Sequence, residues 1–462
     1  MAMMPADQAD LIESETSGFR ERFAESWRVT WPIIAGGLTT LALSVVDTAI
    51  VGQYSTEALA TMSLVLPVYV LGSALILPWA TAVQVHVSRW KGAGDTARIS
   101  RVLDVGAVLC LTVGLAITVV VAVLAPLIVS VIAHGDPPAE AAAVLRILAA
   151  SFPLIALTAH FRGVFGGIGE TKTAMRVVML VSLVNIPLDY ALVFGLDLGA
   201  VGSAWGTFTA SLMGAVYITV QARRRLSDRY PFWRPTHLHR SAGMGGSLWR
   251  MGWPDLVFSV LAYGSEVVLV VLVATLGQQP LAGYRLMVIT VTVLWAVIFG
   301  ASSGIAILVG QRLGAGDLPG AHAYRRSGAV VMAALAVIVV AAPLLAPGVV
   351  FHGFTDDPAV VAEARNVVYA LIAIVPAMIV AMTLAGVLRA AGDTRGLMYI
   401  GVLSQVVVAM PLAYLCVTYT DLGLAGVYVG FATGLWVRAG LTLWRYRTGR
   451  WARSAIEGAA ES

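Results

Sequence analysis

The stretch Leu183–Gly195, "LVNIPLDYALVFG", places an asparagine, a proline and an aspartate in an otherwise apolar run. In water it would be an ordinary amphipathic turn. In lipid, the carboxylate of Asp189 needs a reason, because an ionisable group in hydrocarbon is costly. The solvent around this stretch therefore decides the fold.

Composition answers the solvent question. Hydrophobic residues make up 58% of the 462-residue chain and charged residues only 12%, with mean hydropathy +0.83. A soluble domain carries about 25% charged residues, so this much apolar surface requires a bilayer. Twelve apolar runs are long enough to cross one: 29–52, 58–87, 103–133, 139–161, 175–195, 199–222, 251–276, 281–309, 327–351, 359–388, 398–417 and 423–445. None alternates as a barrel strand does, so α-helices are expected. The first 26 residues are polar and mixed in charge, with no sign of a cleavable signal. Cys110 and Cys416 lie inside apolar runs and read as buried small residues, not a disulfide or metal framework.

Lys and Arg set the orientation. Arg20, Arg22 and Arg28 precede the first span. Arg89, Lys91, Arg98 and Arg101, then Arg162, Lys172 and Arg176, mark alternate connections. So do Arg223–Arg225, Arg229, Arg234 and Arg240, then Arg312, Arg325 and Arg326, then Arg389 and Arg395. Arg445, Arg447, Arg450 and Arg453 follow the last span. The opposite connections hold Asp136, Asp197, Asp356, Asp357 and Asp421 and no Lys or Arg; Arg146, Arg285 and Arg365 sit near outer helix ends, where snorkelling accounts for them. The positive-inside rule puts both termini in the cytoplasm.

The chain also repeats itself. "WRVTWP" from Trp27 returns as "WRMGWP" from Trp249, and "KGAGD" ending at Asp95 as "LGAGD" ending at Asp317. "GVFGGIGETKT" from Gly163 returns as "GVLRAAGDTRG" from Gly386, and "DLGAVGSAWG" from Asp197 as "DLGLAGVYVG" from Asp421. The expected fold is all-α and integral to the membrane: twelve transmembrane helices in two six-helix lobes with pseudo-twofold symmetry along the membrane normal. The expected parts are a cytoplasmic N-terminal segment (1–26), an N-lobe (27–222), a basic linker (223–248), a C-lobe (249–446) and a cytoplasmic tail (447–462). The "GAGD" and "GETKT" turns contain no Gly-Lys pair and cannot be a Walker loop; they read as helix punctuation, with Gly ending one helix and Asp or Thr capping the next. With no nucleotide site, an ion gradient is the natural energy source.

Asp47, Asp189 and Glu266 are the acids that stand clearly inside the membrane, away from the ends of their spans. Asp47 and Asp189 lie about 7–9 Å from the outer ends of their helices, and Thr207 about 12 Å from its own. Asn185 and Asp189 are four residues apart and share a helical face, while Pro187 between them cannot bond the carbonyl of Leu183. Carboxylates, an amide oxygen and a hydroxyl suit a hard monovalent cation. They also suit a proton, because two nearby carboxylates in low dielectric do not ionise together cheaply. The repeat acts as an internal control: Asp47 becomes Leu269, Asn185 becomes Ala409, Asp189 becomes Ala413 and Thr207 becomes Phe431, while Pro187 is kept as Pro411. The proline belongs to the scaffold, and the polar set belongs to one half. Glu266, about 15 Å from its outer helix end, is a second candidate for a proton or a substrate charge. His160 and Arg162, beside a basic turn, are expected at the interface.

These features resemble the MATE (multidrug and toxic compound extrusion) transporters, and their DinF-like branch in particular. The resemblance rests on "WP" opening the first span, "VDTAIVG" fifteen residues later, the "GAGD", "GETKT" and "GDTR" turns, and "NIPLDYALVFG", and it covers 27–446. It implies a cation site on Asp47, Asn185, Asp189 and Thr207, and a helix-1 bend at Pro32. The acid that some members carry on helix 7 would fall on Ala262, one turn before Glu266. The function expected is a secondary antiporter that exports amphiphilic, often cationic, small molecules for H⁺ or Na⁺ by alternating access. It would be a monomer of the inner (cell) membrane, with no cofactor, no metal beyond possible Na⁺, and no nucleic-acid partner. The other readings are a flippase for lipid-linked precursors, which would call for several cationic side chains lining a cavity, and a membrane enzyme, for which no nucleophile cluster exists.

Overall fold

A bilayer offers no water to backbone N–H and C=O groups, so a spanning chain must bond them within each segment. The computed structural model describes residues 6–133, 138–233 and 242–452, with side chains for 18–133, 138–233 and 243–452, and its regular structure is helical throughout. The first half forms α1 (Ala6–Tyr54), α2 (Thr56–Ala74), α3 (Leu77–Ala93), α4 (Thr96–Ala133), α5 (Ala141–Ala150), α6 (Phe152–Gly167), α7 (Thr171–Tyr190) and α8 (Gly199–Leu226). The second forms α9 (Ala242–Ala274), α10 (Gln278–Gly314), α11 (Leu318–Leu345), α12 (Pro347–His352), α13 (Pro358–Val368), α14 (Leu371–Ala390), α15 (Thr394–Val402), α16 (Met410–Tyr419) and α17 (Leu424–Arg447). Asp136, Arg234, Arg240 and Arg453 lie outside the described residues, as do parts of the linker and tail.

Among the described residues, eleven helical segments of 20 to 38 residues are apolar enough to cross a membrane. Gly199–Leu226, 28 residues long, is the remaining expected span; it is less apolar because it carries Gly and Ser among its buried positions, Thr at half-buried ones and three Arg in its last turn. Prolines divide several spans without ending them: Pro78 opens α3 after α2, and Pro153 opens α6 after α5. Large apolar side chains cover the outside, with Leu183 at 73%, Val45 at 70% and Val123 at 69% exposure. Such a surface is stable against lipid tails and not against water.

The chain packs as two units. One contains residues 35–263, with a core that includes Trp79, Phe152, Phe161 and Phe165. Its α9 end is held by Trp249, stacked on Trp79 at 4.6 Å, and by Ser247, which bonds His86 Nε2 at 2.9 Å. The other joins residues up to Ile34 to those from Gly264 onward, with Met287, Phe351, Met378 and Leu388 in its core. There the first part of α1 lies on α10 and α11. Ser26 and Ser327 share a hydrogen bond of 2.9 Å, and a Cβ on Gly304 would come within 2.3 Å of Thr30 Oγ1. The sequence repeat follows chain order. Packing assigns the starts of α1 and α9 to the unit formed mainly by the other half; each of these helices carries an internal proline, Pro32 close before the change in α1 and Pro254 well before the change in α9.

The GAGD and GDTR turns cap with their aspartates as expected, whereas in the GETKT turn Glu170 stands at the N-cap and makes no side-chain cap bond. Gly94 and Gly316 end their helices in the left-handed region, at φ 72° and 75°. Asp95 accepts from the Arg98 amide at 2.9 Å and Asp317 from the Gly320 amide at 2.8 Å. In the next pair of turns, Glu170 meets Arg225 at 3.5 Å and Asp393 meets Arg445 at 2.7 Å. Each acid is thus tied to the last helix of its own half.

Candidate ion-binding site

Asp189 closes α7, and its carboxylate has no exposure. Asn185 lies one turn earlier on the same face, and its Nδ2 donates to Asp189 Oδ1 at 3.0 Å. A carboxylate only accepts, so the amide nitrogen faces Asp189 and Asn185 Oδ1 is turned elsewhere. The second carboxylate oxygen, Oδ2, accepts from the Ser203 hydroxyl on α8 at 3.1 Å. Immediately past Asp189, Ala191–Gly195 forms a π turn, with the Leu196 amide bonded to the Ala191 carbonyl at 3.0 Å. Such widened turns are common at functional sites.

The close approach of α8 depends on Gly206. A Cβ at that position would sit 1.8 Å from Asp189 Oδ1. The second half keeps the glycine: a Cβ on Gly430 would lie 2.6 Å from the amide nitrogen of Ala413, the counterpart of Asp189. Gly206 and Gly430 are therefore helix-packing positions, while the polar groups set into that packing occur once. The π turns also differ, since Leu403–Ala409 precedes Pro411 whereas Ala191–Gly195 follows Pro187.

Asp47, half-buried on α1, acts electrostatically on Asp189. Asp47 Oδ1 and Asn185 Oδ1 are both buried with no hydrogen-bond donor among the described residues. Two buried acceptor oxygens without donors are rare and costly in a native structure. A carboxylate oxygen without a donor suits a proton or a hard cation, and an amide oxygen without one suits a hard cation. The described residues hold no group of three or more His, Cys, Asp or Glu arranged for a metal ion.

Of the expected set, the structure thus joins Asn185 directly to Asp189 and brings Asp47 within electrostatic reach. Thr207 is half-buried on α8 and is not a hydrogen-bond partner of Asp189. Glu266 belongs to the other unit and is exposed on α9. Pro32 and Pro187 both lie inside continuous helices. Ser203 was not anticipated, although the repeat carries its signal: its counterpart is Val427, a polar-to-apolar change like that from Asp189 to Ala413. His160, expected near the interface, has its ring inside the protein. It is fully enclosed, edge-on to Phe161 at 5.0 Å, because Gly106 on α4 leaves room for the ring.

A profile of the MatE family matches residues 32–191 and 254–415, more than half of the chain. The chain is 22% identical over 442 residues to a probable multidrug resistance protein NorM of Thermotoga maritima, covering 93% of each. It is 27% identical over 468 residues to a probable multidrug resistance protein NorM of Bradyrhizobium diazoefficiens, covering 92% of this chain and 93% of that one. The fold is similar to the solved structure of a MOP superfamily transporter from Pyrococcus furiosus, with TM-score 0.84 at 20% identity, covering 96% of this chain and 97% of that one.

Proposed function

Because the chain belongs to the MatE family, we propose that it is a secondary antiporter of the DinF-like type, exporting amphiphilic, often cationic, small molecules in exchange for H⁺ or Na⁺. The observation that carries this reading is the buried Asn185–Asp189 hydrogen bond with a donorless oxygen left on Asn185, together with a second donorless buried oxygen on Asp47, whose charge acts on Asp189. The coupling ion enters from outside and binds at Asp47, Asn185 and Asp189, with Thr207 close by on α8. Binding neutralises the repulsion between two acids in low dielectric, and that relief is the differential free energy an ion needs in order to shift a conformational equilibrium. The bend at Pro32 connects α1, which bears Asp47, to that shift, and the substrate leaves outward by alternating access. Glu266 serves as a second proton or substrate-charge site. The protein works as a monomer in the inner membrane with both ends cytoplasmic, an orientation supported by the placement of Lys and Arg.

Gradient-driven export from proteoliposomes tests the proposal, with pH and Na⁺ gradients imposed separately and a panel of dyes and metabolites as cargo. Asp47→Asn should abolish driven export by whichever gradient powers the wild type. Export by this variant at the wild-type rate would sink the proposal.

A further inference from the structure

The start of α11 and the end of α17 carry cations and rings that the ion site does not use. His322 Nδ1 meets the Tyr446 hydroxyl at 2.7 Å, and Trp451 stacks on Tyr446 at 5.3 Å. The Arg325 guanidinium lies 5.4 Å from the centre of the same Tyr446 ring, while its Nε is buried without a hydrogen-bond partner. A buried donor left without an acceptor is costly. Arg325 and Arg326 have no acid partner among the described residues. The acids at these helix ends are taken. Glu25 accepts from the Tyr324 hydroxyl, Asp317 accepts from the Gly320 amide at 2.8 Å, and Asp393 pairs with Arg445 at 2.7 Å. Positive charge is therefore left over.

That charge stands at the end of an outward-facing apolar stripe. His322, Arg326, Val330 and Val337 fall on one side of α11 by helical spacing, and all four are exposed, Val330 at 46% and Val337 at 58%. From Arg326 to Val337 the helix rises about 16 Å, close to the depth of one leaflet's hydrocarbon, about 15 Å. The first half lacks the group. It has Ser100, Leu103 and Asp104 where the second has His322, Arg325 and Arg326, and Ala222 in place of Tyr446. There Asp104 accepts from the Trp233 amide at 2.6 Å, so the chain that follows α8 closes the position itself. Helix packing alone requires neither arginine.

We propose that His322, Arg325 and Arg326 form a binding site for the phosphate of an anionic phospholipid, whose acyl chains run along α11 past Val330 and Val337. Guanidinium groups match phosphate oxygens with paired donors. With the Tyr446 hydroxyl donating to His322 Nδ1, Nε2 carries the ring proton and adds a further donor. Tyr446, Trp451 and the exposed Trp444 are the ring types that settle at headgroup level, and basic sites between spanning helices hold lipid headgroups. The apolar stripe decides for a lipid over a free phosphate, which would have no use for it. The site is independent of the antiporter reading, because it needs only that α11 spans a bilayer.

The test uses the purified full-length chain in phosphatidylcholine nanodiscs doped with phosphatidylglycerol that carries a diazirine on its acyl chain. After irradiation, peptide mass spectrometry reads the label on the Val330–Val337 segment against the mole fraction of the probe. Labelling should saturate, whereas phosphatidylcholine with the same diazirine should label in simple proportion to its amount. Arg326→Gln should raise the half-saturating fraction about fivefold, the effect of one cation at a lipid surface. Arg325→Gln combined with Arg326→Gln should raise it about 25-fold. Arg326 is exposed, so its single variant keeps the fold, and Arg326→Lys should restore the wild-type value. Arg224→Gln, which removes an exposed cation from the end of α8, should change nothing. Equal labelling by the two lipids, an unmoved Arg326→Gln, or an equal shift in Arg224→Gln would overturn the proposal. Displacement of the label by millimolar inorganic phosphate would also overturn it, by assigning the site to a free anion.

Discussion

Adding one methyl group at Gly206 should disable ion coupling without unfolding the protein. The built Cβ of Gly206→Ala would lie 1.8 Å from Asp189 Oδ1, whereas ordinary contact begins at 3.4 Å. The carboxylate must therefore move by about 1.5 Å, since a side-chain tip yields before two packed helices do. A shift of that size takes the 3.0 Å bond from Asn185 or the 3.1 Å bond from Ser203 past hydrogen-bonding range. Losing one bond to a charged group costs about 1.5–3 kcal/mol, or about 10- to 100-fold in ion occupancy at 1.4 kcal/mol per decade. The repeat supplies a matched control. Gly430→Ala would put its Cβ 2.6 Å from the Ala413 nitrogen and 2.7 Å from the Ala409 carbonyl, and backbone cannot step aside. Gly206→Ala should lose at least tenfold in gradient-driven export from proteoliposomes, with a fall in melting temperature in detergent smaller than that of Gly430→Ala. Gly430→Ala should show mainly the lowered melting temperature. Normal coupling in Gly206→Ala, or equal melting losses in the two variants, would refute this account of the site.

Trp79 is buried and stacked on Trp249 at 4.6 Å; Trp79→Ala should cost about 3–5 kcal/mol, read as a lowered melting temperature, and a loss under about 1 kcal/mol would contradict the packing. Asp393 both pairs with Arg445 at 2.7 Å and caps α15 through the Gly396 amide at 3.2 Å. Arg445→Ala leaves the cap in place and should cost about 1 kcal/mol for a partly exposed pair. Asp393→Ala loses both interactions and should exceed it by about 1 kcal/mol; equal melting shifts would argue against the cap.

Sequence alone determined the membrane class, the helical secondary structure, the internal repeat and the capped turns. Each depends on composition, on periodicity or on neighbours a few residues apart. It also singled out Asp189 and Asn185, because an acid in an apolar run is conspicuous and the repeat shows it to be dispensable to the scaffold. Only the tertiary structure decided which α8 residue meets that acid. Ser203 and Thr207 are four residues apart on one helix, and the choice between them depends on a rotation and a rise that spacing does not fix. The same holds for His160, whose enclosure depends on a glycine 54 positions earlier on another helix. The starts of α1 and α9, which leave their own halves to pack with the other unit, were equally invisible. Long-range side-chain contacts determine that exchange, and a sequence repeat records only chain order.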